Sequence, residues 1–118
     1  MGIARKVSVA GAGPSWERIQ KELQGLGETP ALRMIDNLPA FPEEIPEAGW
    51  KELRLGLCGG MVTLRKAPGE WSCTIWGTGD PKLEWACEAV AWAIATAEDQ
   101  PESAGWKLKL ESSRSALQ

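Results

Sequence analysis

The chain predicts a single α+β domain, an antiparallel meander backed by helices. Three observations carry this. Residues 50–76 alternate apolar and polar side chains in three short runs separated by glycine-bearing turns. Residues 81–98 form one long run whose apolar positions repeat at a helical period. The 118 residues, 43% apolar and 25% charged, are enough for one hydrophobic core without disulfide staples.

Residues 1–13 (MGIARKVSVAGAG) form an N-terminal segment, flexible or a short strand at Arg5–Ala10, and the domain itself is expected over 14–111. Residues 14–26 predict the first helix. Trp16, Ile19, Leu23 and Leu26 share one stripe of a 3.6-residue period. Ser15 can accept a backbone N–H at its start, and Glu17 complements the positive dipole end. Gly25 and Gly27 supply a left-handed stop. Ala31–Asp36 reads as a short strand. Pro39, Pro42 and Pro46 then make 37–48 an extended, irregular connection, because proline cannot donate to a ladder and biases its predecessor away from helix. Leu38, Phe41 and Ile45 are expected to anchor it to the core, while Glu43, Glu44 and Glu47 face water.

The three-stranded antiparallel meander occupies about 51–57, 61–66 and 71–76. A Gly59-Gly60 turn sets Leu57 opposite Val62 and Leu55 opposite Leu64. A turn over 67–70 sets Leu64 opposite Cys73 and Val62 opposite Ile75. Both turns place the aliphatic side chains on one face. The other face carries Glu52, Arg54, Thr63, Arg65, Ser72 and Thr74, together with Met61 and Trp76, and Trp50 at its edge.

Gly77-Thr78-Gly79 ends the third strand, and Asp80 with Pro81 starts the long helix 81–98, packed on the sheet. Leu83, Cys87, Val90, Ile94 and Ala97 form its buried stripe, and Trp85 and Trp92 a second stripe beside it. Gly105–Leu110 alternates Trp106, Leu108 and Leu110 with Lys107 and Lys109, which predicts a C-terminal edge strand at 105–110 guarded by lysine. Residues 112–118 predict a disordered tail. The order helix, three strands, helix, strand over 14–111, in a small acidic chain, resembles type III secretion chaperones and related adaptor folds. The resemblance lies in element order and charge, and no site residue is carried over from it.

Net charge is −3, and no basic cluster exceeds the pairs Arg5-Lys6 and Arg65-Lys66. That argues against a nucleic-acid partner, which needs several phosphates neutralised together, and against docking on anionic lipid. No apolar run approaches a membrane span, and no apolar stretch follows the N-terminal cations to make a secretory signal. The three cysteines, without a CxxC pair, suit reduced thiols in a cytoplasmic protein and imply no disulfide framework, zinc site or other metal.

The chain has no His and no Tyr, so a nucleophile would have to find its base among Lys and carboxylates. The balance is against an enzyme, and no cofactor is implied. Cys58, beside the glycine turn, is the most accessible thiol, whereas Cys73 and Cys87 lie on core stripes. Residues 6–13, the helix after them and a strand ending in Asp36 resemble the first unit of a dinucleotide-binding fold. This makes the Gly11-Ala12-Gly13 turn the alternative site, for a small molecule or nucleotide. Against it, Trp16 stands where that fingerprint needs a third glycine, and Pro14 removes an N–H. The leading expectation rests on the seven Trp, too many for one small core. It is a non-enzymatic interaction or oligomer-forming module whose exposed aromatic face (Trp50, Met61, Trp76) meets a protein partner or a second copy.

Overall fold

The computed structural model describes residues 2–57, 60–77 and 80–117. Six strands form one antiparallel sheet: β1 (Gly2–Ser8), β2 (Ala31–Ile35), β3 (Leu38–Pro39), β4 (Glu52–Leu57), β5 (Gly60–Ala67) and β6 (Glu70–Trp76), in the order β1-β6-β5-β4-β2-β3. Three helices accompany it: α1 (Trp16–Gly25), α2 (Pro81–Ala97) and α3 (Ser103–Leu117).

The meander is β4-β5-β6, and its inner face is the aliphatic one. Leu53, Leu55, Val62, Leu64, Cys73 and Ile75 are all fully buried. The β5–β6 register, Leu64 opposite Cys73, is the one the 67–70 turn implies. The β4–β5 register is shifted by two residues: Leu55 faces Val62, and Leu57 faces Gly60. An even shift keeps every side chain on its own face, so alternation alone cannot detect it. Gly60 belongs to β5, while Cys58 and Gly59 lie outside the described residues, as do Thr78 and Gly79 of the expected break after β6.

Segment 2–8 is a strand that extends the sheet beyond β6, with Ile3 opposite Ile75 and Val7 opposite Trp71. At the other end, β2 and β3 form a tight hairpin within the stretch read as irregular. Asp36 and Asn37 both take positive φ, 49° and 67°, as a two-residue type I′ turn requires. The Asp36 carboxylate then accepts the N–H groups of Lys51 and Glu52, each at 2.8 Å, and ties the hairpin to the start of β4.

Ser15 Oγ accepts the Arg18 N–H and starts α1. Gly27, at φ 87°, ends it in a Schellman turn, with Gly27 N–H bonded to Gln24 O and Glu28 N–H to Leu23 O. Asp80 caps α2 and Pro81 opens it. α2 is buried over most of its circumference from Trp85 through Ala95, with Glu88 partly exposed. A helix apolar on nearly every side needs neighbours on nearly every side. The sheet (β1, β6, β5), α1 and α3 supply them.

The C-terminal segment corrects the expected edge strand. Residues 103–117 are helix α3, which also takes in 112–117 of the expected tail. Trp106 and Leu110 lie toward α2, while Leu108 is exposed. The KLKL alternation is therefore only the local texture of a helix whose inner positions are 106, 110 and 117. The two tryptophans of α2 fix its placement. Trp85 Nε1–H donates to the Leu110 carbonyl at 2.9 Å, and Trp92 Nε1–H to the Ser103 carbonyl at 3.0 Å. Two indoles two turns apart on α2 thus clasp two carbonyls two turns apart on α3, which runs antiparallel to it. With a strand at its start and a helix at its end, the chain departs from the element order that suggested the type III chaperones.

Candidate interaction surfaces

All three helices are gathered with α2 on the inner side of the sheet, and no described element covers the other face. Alternation along β4, β5 and β6 sends Glu52, Arg54, Met61, Thr63, Arg65, Ser72, Thr74 and Trp76 to that open face. Its centre is polar. Arg65 grips Glu52 Oε2 through Nε (3.1 Å) and Nη2 (2.7 Å), and Arg54 Nε lies 3.5 Å from Glu52 Oε1. Glu52 Oε1, Arg54 Nε and the Thr63 hydroxyl are buried with no hydrogen-bond partner among the described residues.

One end of the open face is apolar. Trp76 is 69% exposed and Met61 38% exposed. Continuing the Thr63–Thr74 register by two residues sets Met61 opposite Trp76. On β6's other side Trp76 faces Gly2 of β1.

Trp50, expected at the edge of this surface, is not on it. It is 3% exposed and meets Trp71 edge-to-face, with ring centroids 5.3 Å apart. Strand parity does not extend to position 50, because the turn closed by Trp50 N–H and Glu47 O redirects the chain just before β4. The Lys66 ammonium lies 3.8 Å from the Trp50 ring centroid and 5.2 Å from that of Trp71, and it donates to the Ala48 carbonyl. Desolvation there lowers its pKa below the ordinary lysine value. A lysine at an inward-facing strand position is the sequence signal for this arrangement: its charge needs a covering, and indole faces provide one.

Leu38, Phe41 and Ile45 do not anchor the connection to the core. All three are exposed, Phe41 at 78%. Leu38 stands opposite Ile35 on a hairpin that joins the rest of the sheet through β4. A shallow cavity of about 430 Å³ lies nearby, lined by residues including Ile35, Leu38, Ile45, Pro46 and Trp50.

The pieces of the dinucleotide-like reading are not brought together. β1 and β2 are separated by β6, β5 and β4. Gly13, at φ 77°, lies so close to the Trp71 ring that a Cβ there would collide with it. The glycine turn therefore closes over an indole. The Asp36 carboxylate is engaged by Lys51 and Glu52 N–H groups, which hold its pKa below the ordinary value.

Cys73 and Cys87 are buried free thiols, and the Cys87 thiol donates to the Cys73 carbonyl at 3.4 Å. Burial pushes both up, Cys73 well above the ordinary thiol value and Cys87 to about 11. Neither holds a thiolate near neutral pH. Cys58 lies outside the described residues. Among the described residues, no group of three His, Cys, Asp or Glu is placed to hold a metal ion, and no helix is long and apolar enough to cross a membrane. No known protein family, characterised protein or solved structure matches this chain.

Proposed function

We propose that the chain is a non-enzymatic binding or subunit-forming module, whose open sheet face around Trp76 and Met61 takes a protein partner or a second copy. The observation carrying this is Trp76 itself, an indole with 69% of its surface in water. Aromatic side chains contribute large apolar areas when covered, and Trp is enriched where binding energy concentrates. Its neighbours suit an interface. Met61 adds a flexible thioether, and the Arg54–Glu52–Arg65 group supplies charges of both signs for register and specificity. The two free buried thiols fit a reducing compartment such as the cytoplasm.

Light scattering on the native chain and on Trp76→Ser tests this. The native chain is expected at a multiple of 12.8 kDa. Trp76→Ser is expected to lower the mass while leaving the far-UV circular dichroism unchanged. An equal mass for both proteins would contradict Trp76 as the contact.

A further inference from the structure

The two edges of the sheet are finished differently, and we propose from this that a second copy of the chain adds to the β1 edge, pairing β1 with β1 across a two-fold axis at Ala4. The inference shares with the module reading the claim that the chain assembles, but it uses a different surface.

The β3 edge is blunted. It is two residues long, carries Pro39, and is followed by Pro42 and by Phe41, whose N–H is taken by Glu44 Oε1. Proteins close sheet edges by such devices, because an open edge is a template for another strand. β1 has seven residues, no proline and no bulge.

The hydrogen-bond parity shows which groups face outward. Val9 N–H bonds to Gly69 O, so the odd residues Val7, Arg5 and Ile3 pair with β6, and the even residues turn their N–H and C=O groups away from it. At the far end these outward groups are already sealed. Gln100 Nε2 donates to Ser8 O, and Glu98 Oε1 accepts Ala10 N–H. Gly2, Ala4 and Lys6 remain, with no partner for the outward main-chain groups of Ala4 and Lys6 among the described residues.

That open segment is centred on Ala4, and an antiparallel pairing of two such segments satisfies itself. Ala4 meets Ala4 of the second copy, and Gly2 and Lys6 meet Lys6 and Gly2, forming about six main-chain hydrogen bonds. The side chains agree. On the open face, the row Trp76–Gly2 continues into Lys6 of the second copy. Glycine places no side chain between them, so the ammonium can reach the exposed indole. On the helical side, Arg5 beside β1 is already paired with Glu88 at 2.9 Å, and Lys109 and Glu102, of opposite sign, line the rest of the groove, so no uncompensated charge of one sign opposes a second copy there.

Site-specific crosslinking in a Cys58→Ser background tests the register. Paired Ala4 residues would have Cα atoms about 5.5 Å apart, within disulfide range. Ala4→Cys is expected to form mostly covalent dimer under mild oxidation, and Lys6→Cys, opposite Gly2, several-fold less. Equal crosslinking at both positions, or none at Ala4, would overturn the proposal. Ala4→Pro removes an outward N–H without losing a β1–β6 bond, and it is expected to give a folded monomer by light scattering. A dimer that survives Met61→Asp but not Ala4→Pro belongs to the β1 edge. A dimer that survives Ala4→Pro but not Met61→Asp belongs to the open face and overturns the edge pairing.

Discussion

On the helical side of the sheet, Leu53, Leu55, Val62, Leu64, Trp71, Cys73 and Ile75 are sealed from water, and even the tryptophans of α2 find carbonyl partners. On the open side the same strands carry an exposed indole, a half-exposed methionine, a charged cluster and a buried Thr63 hydroxyl with no hydrogen-bond partner among the described residues. One face is complete and the other is not. The polypeptide spends two helices on covering the third, so an uncovered tryptophan on the reverse reads as a surface kept for something else.

The largest effect is expected from charging the finished face. Val62→Asp and Ile94→Asp each put an unpaired carboxylate where exposure is zero. Each is expected to cost more than about 4 kcal/mol and abolish folding. A cooperative melt near the native temperature would contradict the packing.

Next in size is the clasp between α3 and α1. Arg114 donates to Glu28 Oε2 at 2.9 Å, and Glu28 is buried. Arg114 also reaches the Gly27 carbonyl at the C-terminal end of α1, where a cation is favoured. Arg114→Ala is expected to cost about 2 kcal/mol in urea unfolding, because it strands a buried carboxylate. Truncation after Glu111 removes the same contact together with the packed Leu117 and should cost at least as much, whereas an unstructured tail could be cut without effect.

Asp36→Asn is expected to cost about 1 kcal/mol at neutral pH, since a carboxylate is the better acceptor for two backbone N–H groups. The folded pKa of Asp36 is lowered from 3.8. Its stabilisation is therefore present above that value and lost as pH falls through the lower folded value. The gap between native and Asp36→Asn should narrow progressively as pH falls below 3.8, and a gap that did not change with pH would point to turn geometry instead.

The smallest effect lies beside the largest. Thr63, adjacent to Val62, has a buried hydroxyl without a hydrogen-bond partner among the described residues. Thr63→Val is expected to be neutral or to stabilise by about 0.5–1 kcal/mol by denaturant melts. A loss above about 1 kcal/mol would show that the hydroxyl is satisfied after all.

The contrast also explains how far the sequence was legible. Face assignment along β4–β6 was readable, because alternation fixes sides, but the β4–β5 pairing was not, since a two-residue slip leaves the sides unchanged. α1 and α2 were readable from their caps and stripes. α3 was hidden because serine occupies 112, 113 and 115, diluting its stripe, while Trp106, Leu108 and Leu110 imitate a strand. Of the three candidate contact residues, Met61 and Trp76 lie inside strands, where parity applies. Trp50 lies before β4 and escaped the rule. Hydrophobicity alone assigns Leu38, Phe41 and Ile45 to the core, and it says nothing about whether the β2–β3 hairpin and the segment after it return there.

The most direct measurement is the oxidation rate of each tryptophan under hydroxyl-radical footprinting, for purified protein and for cell extract, read by mass spectrometry. In the isolated fold Trp76 should be the fastest-reacting indole by a wide margin over Trp16, Trp71 and Trp92. Trp76 is expected to become protected, at least several-fold, as protein concentration rises or in the extract, while the buried three do not change. A Trp76 that stays fully reactive in both settings would mean that nothing docks there.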